Sequence, residues 1–230
     1  METIQQRLDQ VSQQIRDAEK TYKRASGSIK LLAVSKTWPL EDIVNAAKAG
    51  QTCFGENYVQ EAIEKIDACP LKLEWHFIGH IQSNKSRDIA KRFDWVHSVD
   101  SFKLARRLSE QRPDNLAPLN ICLQVNISAE TSKSGLAPDE IISLAPKIFE
   151  LPNIKLRGLM AIPAPSTGVS QQRAIFSRVR ELQQNLIEQG ALLDTLSMGM
   201  SNDMEAAIAE GATIVRVGTA IFGQRRAKQD

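Results

Sequence analysis

Lys36 stands at the end of the apolar run Leu31, Leu32, Ala33, Val34, Ser35 and is followed at once by Thr37, Trp38 and Pro39. A strand that carries one amine to its own C-terminal tip, where a proline stops the backbone ladder, has the geometry of a lysine that condenses with a carbonyl. By residue type alone Lys36 could equally be a solvated charge where a strand meets a loop. Two further segments bear on that choice. Gly199, Ser201 and Asn202 precede a helical pattern at 203–209, with Asn202 at the N-cap position and Glu205 three residues on, and Gly218 with Thr219 follows the last apolar run. Turns of this kind let backbone amides approach an anion, and a helix start adds free N–H groups. Each loop alone could be only a helix cap or a strand end. Arg216, at the tip of the last run, adds a planar donor that stays charged, or else a partner for a barrel ion pair.

The elements that must position these residues alternate. Short apolar runs occur at 29–35, 52–54, 75–78, 95–99, 120–125, 156–160, 193–197 and 214–217, separated by helix-patterned segments at 41–49, 58–68, 101–111, 139–149, 171–189 and 203–209. Short apolar strands separated by helices pair in parallel, and eight of them fit a closed (β/α)8 TIM barrel, fold class α/β, better than an open sheet. No composition break divides the chain, so the expectation is one domain over 1–230, with an opening helix at 1–24 and the barrel at 29–223. The irregular stretches 126–138 and 162–170 each follow a strand and so belong to the top face. There the loops after strands seven and eight commonly hold a phosphate, and these are the two loops that carry Ser201 and Thr219. The opening helix repeats Ile4, Leu8, Val11, Ile15, Ala18 and Tyr22 at spacings of four and three. Roughly three heptads is short for a coiled-coil seam, so this stripe is expected on the barrel's outer wall or floor, and a monomer is expected.

Composition narrows the partners. The 230 residues are 42% hydrophobic and 24% charged with a net charge of +2, and acids and bases are interspersed. Nothing in that balance favours a nucleic-acid or membrane surface. No apolar stretch of spanning length and no signal-peptide layout is present, which points to the cytoplasm. Cys53, Cys69 and Cys122 form no CxxC; Cys53 and Cys122 lie in apolar runs and read as small buried hydrophobes, and no metal site is expected.

A lysine able to form a Schiff base, a phosphate cradle and an arginine at the last strand tip together describe pyridoxal 5′-phosphate held as an internal aldimine, the arginine keeping the pyridine nitrogen unprotonated. The segments LLAVSKTWP, FGENYVQEA, WHFIGHIQSNK, VHSVDS, TSKSGL, GLMAIP, LSMGMSNDMEAAI and VRVGTAIFG keep the order and spacing of one family over nearly the whole chain. The sequence resembles the pyridoxal phosphate homeostasis protein family. That resemblance implies a fold-type III barrel like the N-terminal domain of alanine racemase, with Lys36 as the aldimine lysine. It also implies Asn57 near the cofactor, Arg216 at the pyridine nitrogen, Ser201, Gly218 and Thr219 on the phosphate and Met200 lining the pocket, with His80 and Tyr58 by the mouth. The implied role is a carrier or buffer of pyridoxal phosphate that hands it to apo-enzymes, without strong catalysis. In alanine racemase a second domain closes the site, and the chain is expected to lack one because it stops soon after Gly223. An amino-acid racemase on the same site and a cofactor-free Schiff-base aldolase remain the alternatives. Lys133, in TSKSGL, is expected on a loop over the mouth, either holding a second cofactor or helping to release the first, or as a solvated charge.

Overall fold

The computed structural model of the chain describes residues 2–128, 134–164 and 168–224; Lys133 and the basic residues Arg225, Arg226 and Lys228 lie outside the described residues. The first helix, α1 (Ile4–Thr21), starts with a capping box, in which Thr3 Oγ1 accepts the Gln6 N–H at 3.2 Å and the Gln6 side chain accepts the Thr3 N–H at 2.9 Å. Then follow β1 (Lys30–Val34), α2 (Leu40–Lys48), β2 (Cys53–Glu56), α3 (Val59–Ala68), β3 (Glu74–Phe77), α4 (Ser86–Arg92) and β4 (Trp95–Val99). The second half comprises α5 (Phe102–Gln111), β5 (Leu119–Val125), α6 (Pro138–Phe149), β6 (Ile154–Ala161), α7 (Val169–Glu188), β7 (Thr195–Ser197), α8 (Met204–Ala209), β8 (Ile214–Val217) and the single turn α9 (Thr219–Phe222). Every neighbouring pair of strands is parallel, and β8 returns to β1 through Leu32↔Arg216 and Ala33↔Val217, so the sheet closes in the order β1 to β8. The eight-stranded parallel barrel expected from the alternation is the architecture found.

The two-residue period of the strands sorts their side chains into two cores. Ala33, Phe54, Trp75, Phe77, Val96, Ile121, Leu159 and Val215 face outward and pack against the helices. Leu32, Cys53, Ile78, Trp95, Cys122, Met160 and Ile214 fill the barrel itself. Cys53 and Cys122 are buried free thiols, and burial pushes the Cys122 thiol up to about 12. The inner core is not wholly apolar, since Glu74, His76, His97, Ser197 and Arg216 also come from strand positions.

Leu8, Val11, Ile15 and Ala18 of α1 are buried against α2, α8 and α9, so the stripe lies on the outer wall. Each large apolar side chain contributes about 1.5–3 kcal/mol when fully buried. Polar contacts add direction to that packing. Arg7 Nε donates to Ile221 O at 2.6 Å, Arg24 Nη1 to Ile208 O at 2.9 Å and Tyr22 OH to Glu205 Oε1 at 3.0 Å. The helix thus braces the two short helices that follow β7 and β8. Among the described residues no helix is long and apolar enough to cross a membrane.

Two expectations need correction. Strand β2 runs on through Gly55 and Glu56, paired with His76 and Phe77, because the Glu56 carboxylate is buried and held by Lys65 rather than solvated in a loop. Asn202 does not cap α8. The residue at the cap is Asp203, whose Oδ1 accepts the Met200 N–H at 2.6 Å, and Glu205 is engaged by Tyr22 instead of closing a capping box.

Candidate functional site

Lys36 follows β1 by two residues and is half-buried. Its turn is closed on both sides: Ser35 N–H donates to Gly55 O at 2.9 Å and Trp38 N–H donates to Ser35 O at 3.0 Å. Thr37 takes a φ of +69° inside that turn, a left-handed conformation that a β-branched residue adopts only under constraint. The Trp38 ring then stacks on Phe222 of α9 with centroids 5.7 Å apart, which ties the lysine turn to the turn after β8.

Asn57, directly after β2, has a buried side-chain oxygen with no hydrogen-bond partner among the described residues. A buried acceptor left unpaired costs about 1–3 kcal/mol, which marks it as a group waiting for a donor. The backbone beside it is pinned by Gly79, since a Cβ at that position would lie 2.2 Å from Asn57 O, a distance only glycine allows. Tyr58 and His80, from the same two loops, are exposed and make no side-chain hydrogen bond to the other site residues among those described. Both lie on the loops that follow β2 and β3, on the face where the strands end.

Arg216 is the innermost member. Burial draws its guanidinium down to about 10, so it remains charged at neutral pH. It donates from Nη1 to Ser197 O at 2.6 Å and to Ser197 Oγ at 2.8 Å, and from Nη2 to Ala161 O at 2.9 Å, at the C-terminal ends of β7 and β6. Among the described residues all of its acceptors are neutral, and Asp203 acts on it through space. Behind it a polar chain crosses the barrel: Ser197 Oγ lies 2.7 Å from His97 Nδ1, His97 Nε2 lies 2.8 Å from His76 Nδ1, and His76 Nε2 lies 2.6 Å from Glu74 Oε1.

Hydrogen-bond satisfaction assigns the protons along this chain. The hydrogen bond from His76 holds the Glu74 carboxyl down to about 2, so it is ionised and only accepts. Burial pushes both imidazoles below their ordinary value, His97 well below, so each carries one proton. His76 must then donate from Nε2, His97 from Nε2 and Ser197 from Oγ, leaving the hydroxyl oxygen free to accept from Arg216. Every donor along the chain points from Arg216 toward Glu74, where Lys30 closes the line with an ion pair at 2.9 Å.

The turn after β8 approaches the lysine turn closely, because a Cβ on Gly218 would lie 3.2 Å from Val34 O. Thr219, Ser201 and Met200 are exposed around it, and the backbone N–H groups of Thr219, Ser201 and Asn202 find no acceptor among the described residues. The helices here have only four and six residues, so the amides themselves, rather than a helix dipole, are what an anion would meet.

The mouth therefore combines a turn-held amine, an unpaired amide oxygen, a buried cation with neutral partners and a set of open amides. The chain matches the family model described as "Alanine racemase, N-terminal domain" over residues 7–226. It is 54% identical over 230 residues to the pyridoxal phosphate homeostasis protein of Vibrio cholerae, covering 98% of each chain. This chain belongs to the pyridoxal phosphate homeostasis protein family. PipY of Synechococcus elongatus PCC7942, a structure solved with PLP bound, superposes with a TM-score of 0.80 at 38% identity, covering 91% of this chain and all of that one. An alanine racemase of Clostridium difficile 630 superposes with a TM-score of 0.72 at 17% identity over 94% of this chain and 57% of that one, a likeness of fold.

For this family member, several site-shaping residues escaped the sequence reading. Ser197, His76 and His97 lie in apolar strand runs, and only their period-two phase with Glu74 and Arg216 could have signalled an inward polar line. Lys65 and Glu61 have no sequence signature beyond their four-residue spacing on α3, Glu56 at the end of β2 has none, and Asp203 falls inside the helical pattern at 203–209 although it precedes α8. Cys53 Sγ lies 3.6 Å from Glu74 Oε1, so it meets an acid as well as apolar neighbours.

Proposed function

We propose that the barrel mouth binds pyridoxal 5′-phosphate through Lys36 and that the chain serves as a carrier or buffer of this cofactor in the cytoplasm, as a single barrel domain over 1–230. The observation that carries the reading is Arg216, a buried cation whose acceptors among the described residues are all neutral and lie at the tips of β6 and β7. An unprotonated ring nitrogen complements such a donor, and a protonated one repels it. Asn57 Oδ1 supplies a second unmet polar atom in the site. The open amides of Ser201 and Thr219, with their hydroxyls and the Gly218 backbone, suit a phosphate, and Met200 covers it from the exposed side. When bound, the cofactor supplies an aldehyde carbon that lysine amines can attack and a ring that stabilises negative charge.

Weak or absent turnover follows from the rim. General acid–base catalysis requires proton-transfer groups held over the reacting carbon away from water. Tyr58 is 54% exposed, His80 is exposed too, and among the described residues neither is fixed by a side-chain hydrogen bond. Such a mouth suits binding and hand-over to an apo-enzyme better than racemisation. Borohydride reduction of protein loaded at one equivalent, followed by peptide mapping, tests the site: label on Lys36 is expected, and label chiefly on Lys85 or Lys133 would refute it. Proton exchange at the α-carbon of amino acids in deuterated water tests the role, because rates typical of an enzyme would replace the carrier with a racemase.

A further inference from the structure

The turn that presents Lys36 rests on a buried ionic group that the reaction chemistry does not require. Lys65 of α3 is 7% exposed and spends its three donors on Ser35 O at 2.9 Å, Glu56 Oε1 at 2.8 Å and Glu61 Oε1 at 2.5 Å. Glu56 Oε1 also accepts from Ser35 Oγ at 2.6 Å, and Glu61 Oε1 accepts the Thr37 N–H at 2.6 Å. The residues immediately before and after Lys36 are thus both held by one cluster. Thr37 is the residue with φ +69°, and the Glu61 carboxylate is the acceptor that its amide reaches in that conformation.

Neither a helix surface nor a strand end needs this arrangement. A lysine at a strand tip needs its ammonium solvated and its backbone paired, which Gly55 O and the Trp38 turn already provide for Ser35. Taking Lys65 out of water between two acids has a desolvation cost, and burial raises the Glu56 carboxyl above its ordinary value. Such cost is tolerated where a geometry must be overdetermined, and strained backbone concentrates at sites where a side chain must be aimed. We propose that Lys65, Glu56 and Glu61 form a clamp that sets the backbone of Lys36 and hence the direction in which its amine enters the mouth. Lys65 and Glu61 are positioning residues for the condensation, in which the Lys36 nitrogen bonds to the aldehyde carbon and the carbonyl oxygen departs as water. This rests on the reading of Lys36 as the lysine that bonds the cofactor.

The test compares two ligands in the wild-type protein and three variants. Pyridoxal 5′-phosphate requires the lysine, whereas pyridoxamine 5′-phosphate offers the same ring and phosphate without an aldehyde. In Glu61→Ala the acceptor for Thr37 is lost from a partly exposed helix position, which leaves folding the better chance; Lys65→Met removes the centre of the clamp. The rate of Schiff-base formation, followed by absorbance, is expected to fall roughly ten- to hundredfold in both, the size of effect that small misplacement of a reacting group produces. Pyridoxamine phosphate affinity is expected to stay within about twofold, and Glu61→Gln, which keeps an acceptor, should recover most of the rate. An unchanged rate in Glu61→Ala overturns the clamp, as does an equal loss for the two ligands, which would signify general collapse of the mouth. Failure of the underlying reading is distinguishable, since it shows in the wild-type protein as borohydride label on a lysine other than Lys36.

Discussion

Replacing Arg216 by methionine separates two roles that the guanidinium could have, as a support of the barrel or as the partner of the cofactor ring. The substitution removes three hydrogen bonds and leaves Ser197 O and Ala161 O buried without their donors. Each orphaned acceptor costs about 1–3 kcal/mol. Against this stands the penalty already carried by the buried charge: the fall of the guanidinium from 12.5 to about 10 corresponds to roughly 3 kcal/mol disfavouring the charged form. Methionine carries no such penalty and fills a similar length. The net effect on folding is therefore expected to lie between about zero and 3 kcal/mol, measured by urea unfolding of the cofactor-free protein. Ligand binding loses a charged hydrogen bond with no compensation, about 1.5–3 kcal/mol, or roughly ten- to hundredfold in pyridoxal phosphate affinity. Methionine is a cleaner probe than glutamate, whose carboxylate would face the two orphaned carbonyls. Unchanged affinity in Arg216→Met would refute the ring-nitrogen assignment, and a stability loss well above about 5 kcal/mol would make Arg216 chiefly a structural support.

The buried histidines predict an acid limit. Because burial holds His97 below its ordinary value, the unfolded chain takes up a proton below about pH 6.5 that the folded chain refuses, so stability present above that pH is lost on acidification by up to about 1.4 kcal/mol per pH unit. In His97→Gln the urea midpoint between pH 5 and 6.5 should fall less steeply, and an identical slope would show that His97 is not the group responsible. Thr219→Ala removes an exposed hydroxyl from the phosphate turn, so the expected loss in pyridoxal phosphate affinity by titration is only about three- to tenfold, with unfolding unchanged. Gly79→Ala drives a Cβ into Asn57 O and should cost at least about 1–3 kcal/mol in unfolding while displacing Asn57 and weakening cofactor binding; wild-type values for both would show that the strand tips part freely.

How far the sequence could be read depended on whether a residue's neighbours along the chain were also its neighbours in space. The barrel was legible because each strand and most helices announce themselves within ten residues, and Lys36, Gly218 and Thr219 inherit their positions from strand ends. The shortest helix was not legible: α9, four residues long, has too few turns for a hydrophobic period, yet it begins at Thr219. Asn202 looked like a cap by type and offset, but Asp203 captures the Met200 amide, a choice set by loop geometry. The chain from Arg216 to Glu74 joins four strands across the barrel, and its members sit at unremarkable places in apolar runs. Only the closed barrel, with its fixed inward phase, brings them into line.

The two ends of the mouth differ in a way that bears on the proposed hand-over. At the ring end Arg216 is fully enclosed, locked by neutral acceptors and backed by a chain of imidazoles that cannot gain a proton cheaply. At the phosphate end Ser201 and Thr219 are exposed, so their contacts with an anion are weakened by water and screened by salt. A site closed at both ends would hold its cofactor through every contact at once and release it slowly. If the cofactor binds as proposed, its phosphate would meet water at Ser201 and Thr219 while its ring lay against the enclosed Arg216, and Tyr58 and His80 are themselves exposed. On that reading, the same openness that withholds the water-excluded pocket fast catalysis needs would give the cofactor a route out.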